Sequence, residues 1–291
     1  MRLMNIVSLV PSASEILCDL GLNQYLVGVS HECNFPKFLK KIDTITSSSL
    51  DSSKPQIEID TLVREKVEKK APLYEIDTKK LNELAPDVII TQGVCDVCAI
   101  SHNQVEVLLK GQLCTLPSST NVISLNGRSF SGICDDINTL GSYFDCRDRS
   151  NQIIENAIFE KNKIMSLKKY DIRILCLEWI DPYFSAGHWV PEQIEIAGFI
   201  SAIGKPGDQS RVITTKEIIQ SKPDVIAIIC CGYNKEQNKS FARDIYKDER
   251  INYLAPFKNE KIFYFDSDSY FSRPTLRIIN GAKQLRESVI S

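Results

Sequence analysis

The sequence predicts an α/β fold with two similar lobes, each built on a parallel sheet, joined by one long helix. Residues 85–94 read Ala-Pro-Asp-Val-Ile-Ile-Thr-Gln-Gly-Val, and residues 222–231 read Lys-Pro-Asp-Val-Ile-Ala-Ile-Ile-Cys-Cys. Each copy follows a helix-like segment, and its β-branched apolar run is typical of a strand buried on both faces. Between the copies, residues 149–169 contain neither Pro nor Gly. The repeat predicts two lobes, and the uninterrupted segment predicts the helix that connects them.

Lobe one is expected over residues 1–145. Helical spacing predicts helices over 56–70 and 131–143, and Ser12 followed by Glu15 predicts a capping box at the start of the first helix. Apolar runs bounded by turn residues predict strands near residues 5–10, 26–30, 87–92, 112–116 and 121–125. Because these strands alternate with helices, the sheet is predicted to be parallel.

The connecting helix is expected over residues 146–170, where apolar residues recur at helical intervals. Lobe two is expected over residues 171–291. It opens with a strand near 172–177 and ends with a strand over 262–265 and a helix after Pro274. Both lobes therefore begin with strand, loop and helix, and both are expected to be Rossmann-like.

Composition excludes several classes of function. The chain has 291 residues and a formal charge of −2, so its charge gives no reason to bind nucleic acid. Apolar residues make up 43% and charged residues 25%, which is ordinary for a globular protein. The longest apolar runs fall far short of the roughly 18 residues that a membrane helix needs. We therefore expect no membrane insertion.

The N-terminus and the cysteines predict a cytoplasmic location. Residues 1–4 lead directly into the first strand, without the cationic and apolar regions of an export signal. The ten cysteines match no small disulfide framework and fit reduced thiols. A periplasmic location would require a start codon upstream of the one assigned.

Ligands of parallel α/β sheets bind beyond the carboxyl ends of the strands, and the predicted strand ends here carry many chemically versatile side chains. We expect these side chains to line a ligand cleft between the lobes. In lobe one they are Ser12, His31, Glu32, Cys33, Gln92, Cys95 and Cys98. In lobe two they are Trp179, Tyr183, Phe184, His188, Trp189, Tyr233, Tyr270, Phe271 and Arg273, all in predicted loops.

A zinc or iron site is one alternative that these residue types allow. Cys95 and Cys98 form a Cys-x-x-Cys unit, but no second unit follows at zinc-finger spacing, so the site would have to be assembled from separate loops. Its candidate ligands are His31, Cys33, Cys95, Cys98 and His188. The chain lacks a nucleophile elbow, a Walker loop and a dinucleotide-binding fingerprint. A non-catalytic binding protein is therefore favoured, and a metal- or thiol-dependent protein or enzyme remains the alternative.

Several motifs resemble those of the periplasmic binding proteins for cobalamin and iron chelates. The resemblance rests on Val7-Ser-Leu-Val-Pro-Ser-Ala-Ser-Glu-Ile-Leu, on both Pro-Asp-Val-Ile repeats and on Tyr270-Phe-Ser-Arg-Pro-Thr-Leu-Arg. It covers nearly the whole chain except residues 50–75, which look like an insertion. Ser30-His-Glu-Cys, Cys95-Asp-Val-Cys-Ala and Ala186-Gly-His-Trp-Val-Pro further resemble a subgroup called cobalamin-binding proteins.

The resemblance implies that a corrinoid or related metal chelate binds between two lobes joined by a long helix. The aromatic residues of lobe two would wall or stack on the macrocycle, and Arg273 would pair with a peripheral carboxylate or phosphate. His31 or His188, or a thiolate of Cys33 or Cys95, would ligate the metal.

One departure from the family pattern concerns the partner. Family members that deliver ligand to an ABC permease carry an exposed acidic residue in the helix before each Pro-Asp strand. Lys79 and Lys216 occupy these positions here, and a small shift of the alignment would bring in Asp77 or Glu217 instead. The lysines argue against docking to an ABC permease.

Overall fold

A computed structural model describes residues 4–69, 71–94, 105, 107 and 115–291. The chain divides into two compact units. The first unit contains Met1–Gly127 and Cys134–Asn151, and the second contains Arg128–Ile133 and Gln152–Ser291. A short segment that precedes the long helix in sequence therefore belongs to the second unit.

The first unit is built on a five-stranded sheet in which every neighbouring pair is parallel, in the order β3-β2-β1-β6-β7. A separate antiparallel pair joins β4 to β5. The strands are β1 (Ile6–Ser8), β2 (Leu26–Val29), β3 (Asp43–Thr44), β4 (Thr46–Ser48), β5 (Tyr74–Ile76), β6 (Val88–Gln92) and β7 (Asn121–Leu125). The helices are α1 (Pro11–Asp19), α2 (Gln56–Glu68), α3 (Thr78–Leu84) and α4 (Phe130–Tyr143), and α4 begins in the second unit's segment.

The core of the first unit lies on the central strands, whose apolar side chains are excluded from water. Val7 and Ile89 are fully buried and pack with Ile45 and Leu81. Gly28 in β2 lies against the side chain of Ile45, and a Cβ at this position would displace that side chain. A glycine therefore allows Ile45 to pack closely on this strand.

The predicted capping box at α1 is wrong. The helix begins at Pro11 and has Val10 as its N-cap, without a side-chain cap hydrogen bond. Proline is favoured at the first helical position because its fixed φ suits the helix, and this places Ser12 inside the helix. Of the predicted strand 112–116, residues 112–114 lie outside the described residues, while Thr115 and Leu116 are not in a strand. The short strands β3, β4 and β5 were not predicted.

The second unit has a mixed sheet in the order β11-β9-β8-β12-β13, with β10 paired to β8. Strands β8, β10, β12 and β13 pair in parallel, whereas β9 pairs antiparallel with both β8 and β11. The strands are β8 (Arg173–Ile180), β9 (Tyr183–Ser185), β10 (Ile200–Ser201), β11 (Arg211–Val212), β12 (Val225–Ile228) and β13 (Ile262–Tyr264). The α/β fold class is confirmed, and the antiparallel edge is a feature that the sequence analysis did not anticipate.

The long helix α5 (Arg147–Met165) begins in the first unit and continues into the second, and it is shorter at both ends than the predicted connector. The helices that lie entirely in the second unit are α6 (Val190–Ile196), α7 (Thr215–Ser221), α8 (Lys235–Ile245), α9 (Ala255–Lys258), α10 (Ser267–Tyr270) and α11 (Ile278–Ile290). Among the described residues, none of the helices has the length and hydropathy to cross a membrane.

The two Pro-Asp repeats have the same local structure. Asp87 accepts a hydrogen bond from the backbone N–H of Asn5 at 2.9 Å, and Asp224 accepts one from Arg173 at 2.8 Å. Each aspartate thereby ties its strand to the start of the first strand of its unit. The helix before each repeat ends at a residue in the left-handed region, at Ala85 (φ 41°) and Lys222 (φ 47°).

Candidate functional site

The carboxyl edge of the first sheet contains a buried network of hydroxyl and thiol groups. The Ser14 hydroxyl donates to Ser8 Oγ at 2.9 Å and lies 3.1 Å from Cys33 Sγ. Cys33 is 4% exposed, and the predicted site residue Ser12 is also buried. These side chains shape the edge from inside the unit, so Cys33 offers almost no surface to a ligand.

His31 and Glu32 lie on the exposed side of the same edge. His31 Nδ1 is 2.7 Å from Thr46 Oγ1, which also accepts the backbone N–H of His31. Partial burial lowers the pKa of His31, so the imidazole is neutral at pH 7. Because Nδ1 is engaged by Thr46, Nε2 is the ring nitrogen available for a ligand. Thr46 was not predicted, since it lies in one of the short strands that carry no clear sequence signal.

The turn after β6 is held by Gln92, whose Oε1 accepts the backbone N–H of Val94 at 2.6 Å. Gln92 is buried, so its role in this structure is to shape the turn. The predicted ligands Cys95 and Cys98 lie outside the described residues. Among the residues that are described, no three His, Cys, Asp or Glu side chains come together as a metal site, and no two cysteines form a disulfide.

The first strand of the second unit extends further than predicted. As a result, three aromatic residues lie in a β-hairpin where a loop was predicted. Trp179 lies in β8, and Tyr183 and Phe184 lie in β9, with Trp179 directly opposite Phe184 in the hairpin. The expectation of a loop here is wrong, because Asp181 and Pro182 make a two-residue turn between paired strands. The side chains of Trp179 and Phe184 are half-buried at this edge.

Two buried polar groups in this hairpin differ in their hydrogen bonding. Tyr183 is buried, and its hydroxyl donates to Asp248 at 2.8 Å. Burial, followed by this hydrogen bond, raises the pKa of Tyr183. The indole nitrogen of Trp179 is also buried but has no hydrogen-bond partner in the described part of the chain. An unsatisfied donor of this kind is costly and calls for an explanation.

Three other predicted aromatic ligand contacts are interior residues of the second unit. Trp189 is 6% exposed and donates from Nε1 to the carbonyl of Phe271 at 2.8 Å. Phe271 is 2% exposed and packs beside Phe265 with ring centroids 5.4 Å apart. Tyr233 is 5% exposed and packs edge-on against a ring of α8. These rings build the edge of the unit and present almost no surface.

The polar and aromatic residues after β13 are engaged with one another. Arg273 is 5% exposed and forms an ion pair with Asp268 at 2.6 Å. Tyr270 is half-buried beneath the guanidinium of Arg277, 4.9 Å from its ring centroid. The guanidinium predicted to meet a ligand anion is thus occupied by a carboxylate of its own loop.

His188 is held in an uncommon backbone conformation. Its φ is 54°, and its backbone groups bond with Asp208 and Gly207 of the following loop. Ser210 Oγ lies 3.5 Å from Nδ1. Burial and, to a lesser extent, the charge of Arg128 lower the pKa of His188. Non-glycine residues seldom adopt positive φ, so the hydrogen bonds of the loop must hold His188 in this conformation. The loop thereby positions the neutral imidazole.

Comparison with known proteins decides the family. A family profile described as periplasmic binding protein matches residues 6–269. The chain belongs to this family. No curated protein matches it. Solved structures of family-like proteins match at identities that show the fold alone.

Three of these structures illustrate the similarity. A possible iron-binding (periplasmic solute-binding) protein from Staphylococcus epidermidis has a TM-score of 0.73, 19% identity and full coverage of both chains. The periplasmic vitamin B12 binding protein of Vibrio cholerae has a TM-score of 0.67 and 16% identity, over 98% of this chain and 96% of its own. Staphylococcus aureus IsdE, complexed with heme, has a TM-score of 0.72 and 15% identity, over 99% of each chain.

Two lysines that the sequence analysis matched to the docking positions of the resembled family lie near the starts of their helices. Lys79 and Lys216 are exposed, each at the second position of its helix. Asp77 is the N-cap of α3 and accepts from the backbone of Lys80. Glu217 accepts from the backbone and hydroxyl of its N-cap residue and from Arg211. The acidic residues that a shifted alignment would select are therefore occupied in helix caps.

Proposed function

We propose that the protein binds a corrinoid or a related flat metal chelate without catalysing a reaction on it. The observation that carries this proposal is the family match over residues 6–269. Similarity to structures of vitamin B12-binding and heme-bound proteins supports a metal chelate as the class of ligand. The location of the ligand in an interlobe cleft, as expected from the sequence, is part of the proposal.

Three of the aromatic residues predicted from the sequence keep the exposed surface that a contact with such a ligand needs. Trp179, Phe184 and Tyr270 retain partly exposed aromatic surface at the edge of the second sheet, and aromatic faces pack well on a flat macrocycle. In our proposal the orphan N–H of Trp179 donates to an amide or carboxylate oxygen of the ligand after a small shift. The buried ring of Tyr233 lies beside that of Trp179, with ring centroids 5.8 Å apart.

The two described histidines are suited to an open coordination position on the metal. Both His31 and His188 have pKa values lowered by burial, and a neutral imidazole has a lone pair for a metal ion. When bound, the chelate would supply the metal and its redox states. The protein would supply one imidazole nitrogen, from His31 or His188, and a surface that excludes water.

The proposal is tested by visible absorption titration of the reduced, metal-analysed protein with cobalamin, cobinamide and heme. We expect a saturating spectral shift at stoichiometric ligand with at least one of them. Trp179→Phe, which keeps an aromatic ring of smaller area but lacks the N–H, should weaken binding without unfolding the protein. The absence of a spectral shift with all three chelates would contradict the proposal. Stoichiometric zinc or iron that is lost in a Cys95→Ser/Cys98→Ser variant would instead support the metal- or thiol-dependent alternative.

Delivery and location form the last part of the proposal. We propose that the protein does not dock on an ABC permease through acidic residues, because its exposed residues at the matching positions are Lys79 and Lys216. We further propose a cytoplasmic location, to be tested by cell fractionation of the endogenous protein. Recovery with secreted or periplasmic markers would contradict it.

A further inference from the structure

A short 3₁₀ helix of the first unit, Lys37–Lys41, is anchored by a single side chain. Leu39 is 0% exposed, and its backbone joins Pro36 and Ile42 through two hydrogen bonds of 3.0 Å. A 3₁₀ helix has three residues per turn, so residues three apart lie in one column. Lys37 and Lys40 share one column, while Phe38 and Lys41 share another. The column of Leu39 packs into the unit and the other two face solvent.

The outward columns, together with Phe35 two positions before the helix, combine phenyl rings with positive charge. Phe38 is 41% exposed and Phe35 is 43% exposed. The three lysines are exposed, and their side chains form no ion pair with any part of the chain that the structure describes. Residues 33–42 contain no acidic residue. We call Phe35, Lys37, Phe38, Lys40 and Lys41 the basic–aromatic patch.

We propose that the basic–aromatic patch binds the surface of a membrane that contains anionic lipids. Ammonium groups near such a surface are attracted to its negative potential, and phenyl rings gain by entering the headgroup region. Lysine stems are long enough to lie along apolar surface while their charges reach the phosphates. The buried Leu39 favours membrane binding because it anchors the 3₁₀ helix. The ring of Phe38 and the lysine charges can then contact the lipids without the entropic cost of ordering a flexible segment.

The phenyl groups distinguish a lipid surface from other anionic partners. An acidic protein or a nucleic acid backbone would be attracted by the three lysines alone. Two large apolar side chains held about two-fifths exposed beside those lysines add affinity for a lipid interface. The patch shares no residue with the set proposed to contact the chelate, and the proposal does not depend on the proposed ligand.

Cosedimentation of the whole protein with vesicles tests the proposal. The probes are vesicles of phosphatidylcholine alone and of phosphatidylcholine mixed with phosphatidylserine. We expect binding to the mixed vesicles only, weakened by high salt. The triple variant Lys37→Gln/Lys40→Gln/Lys41→Gln should lower the partition coefficient about tenfold or more. Phe38→Ser should also lower it, with an unchanged dependence on salt.

A matched control separates the patch from net charge. Lys235, Lys239 and Lys258 are exposed in the second unit, and their triple Gln variant makes the same change in charge. It should bind mixed vesicles as the wild type does. Thermal unfolding of all variants checks that the fold is retained. Equal losses in the two triple variants, no binding to either vesicle, or tighter binding to heparin or polyglutamate with no effect of Phe38→Ser would each overturn the proposal.

Discussion

The two units share the Pro-Asp repeat but differ at the carboxyl edges of their sheets. In the first unit this edge is polar and built around Ser8, Ser14 and Cys33. In the second unit it is aromatic, with Trp189 and Phe271 buried together. The Pro-Asp repeat, which both units share, fixes the positions of the strands. The carboxyl edges, which differ, supply the polar or aromatic side chains. Scaffold and function are thus encoded in separable residues of each unit.

The largest expected effect comes from breaking the aromatic edge. Trp189→Ala should lower the free energy of unfolding by about 3–5 kcal/mol, because it leaves a large cavity and removes the bond to the Phe271 carbonyl. Cys33→Ala, at the edge of the first unit, should cost only about 1 kcal/mol, the value of a modest hydrogen bond. Urea denaturation measures both.

Both tryptophans lie in the second unit, so the remaining Trp179 reports its unfolding by fluorescence while circular dichroism reports the whole chain. Trp189→Phe is the control variant: it retains most of the volume and should recover much of the stability. Equal costs for Trp189→Ala and Cys33→Ala would show that the two edges are energetically alike and would end the contrast drawn above.

The next largest effect tests the Pro-Asp repeat that both units share. Asp87→Ala and Asp224→Ala each leave a backbone N–H, that of Asn5 or Arg173, without its partner. We expect each to cost about 0.5–1.5 kcal/mol by the same urea assay, because one hydrogen bond is part-buried and the other exposed, so water can replace the aspartate. Similar values would support the equivalence of the repeats. A difference of more than about 2 kcal/mol would contradict it.

How far these features follow from sequence differs between the repeat and the edges. The helices before the repeats and the Pro-Asp strands could be predicted because local pattern dictates them: a capped helix, a stop before proline and a β-branched run. The predicted capping box of α1 was wrong because Ser12 as an N-cap and Pro11 as the first helical residue are competing local signals. The helix begins at Pro11. Strands β3 to β5 were missed because two or three residues carry no periodicity.

The site was less predictable than the fold for a physical reason. Residue type shows that a side chain can bind a ligand, but burial decides whether it is reachable. Arg273 and Asp268 are near neighbours in sequence, yet nothing in the pattern shows that they pair. Trp179 was expected in a loop, because an apolar run does not show where a strand ends or that a proline makes a hairpin turn.

A smaller effect should appear in the pH dependence of the free energy of unfolding, through the carboxylates that cap the helices. Hydrogen bonds from the Thr214 backbone, Arg211 and the Thr214 hydroxyl lower the pKa of Glu217 to about 2. A carboxyl whose pKa is lower in the folded state stabilises the fold above its unfolded pKa and loses that contribution as pH falls toward about 2. Glu217→Gln should therefore flatten the acid limb of the stability profile below about pH 4.5. Asp77→Asn, in the equivalent helix of the first unit, serves as the comparison. An unchanged acid limb in Glu217→Gln would contradict the role of this carboxylate.

The smallest expected effect is the titration of the histidines, which compares the two edges directly. His31 in the first unit and His188 in the second both have pKa values lowered by burial, so NMR titration should place both midpoints below about 6.5. Because the folded state binds the proton less readily than the unfolded chain, these histidines should cost stability as pH falls through that value. Thr46→Val removes the hydroxyl at Nδ1 of His31 and should alter the His31 midpoint alone. If bound chelate then abolished the titration of one histidine and left the other unchanged, the metal ligand would be assigned to one unit. Midpoints at or above the ordinary value for both would show that neither edge holds its imidazole neutral, and the proposed ligation of the metal by a histidine would lose its physical basis.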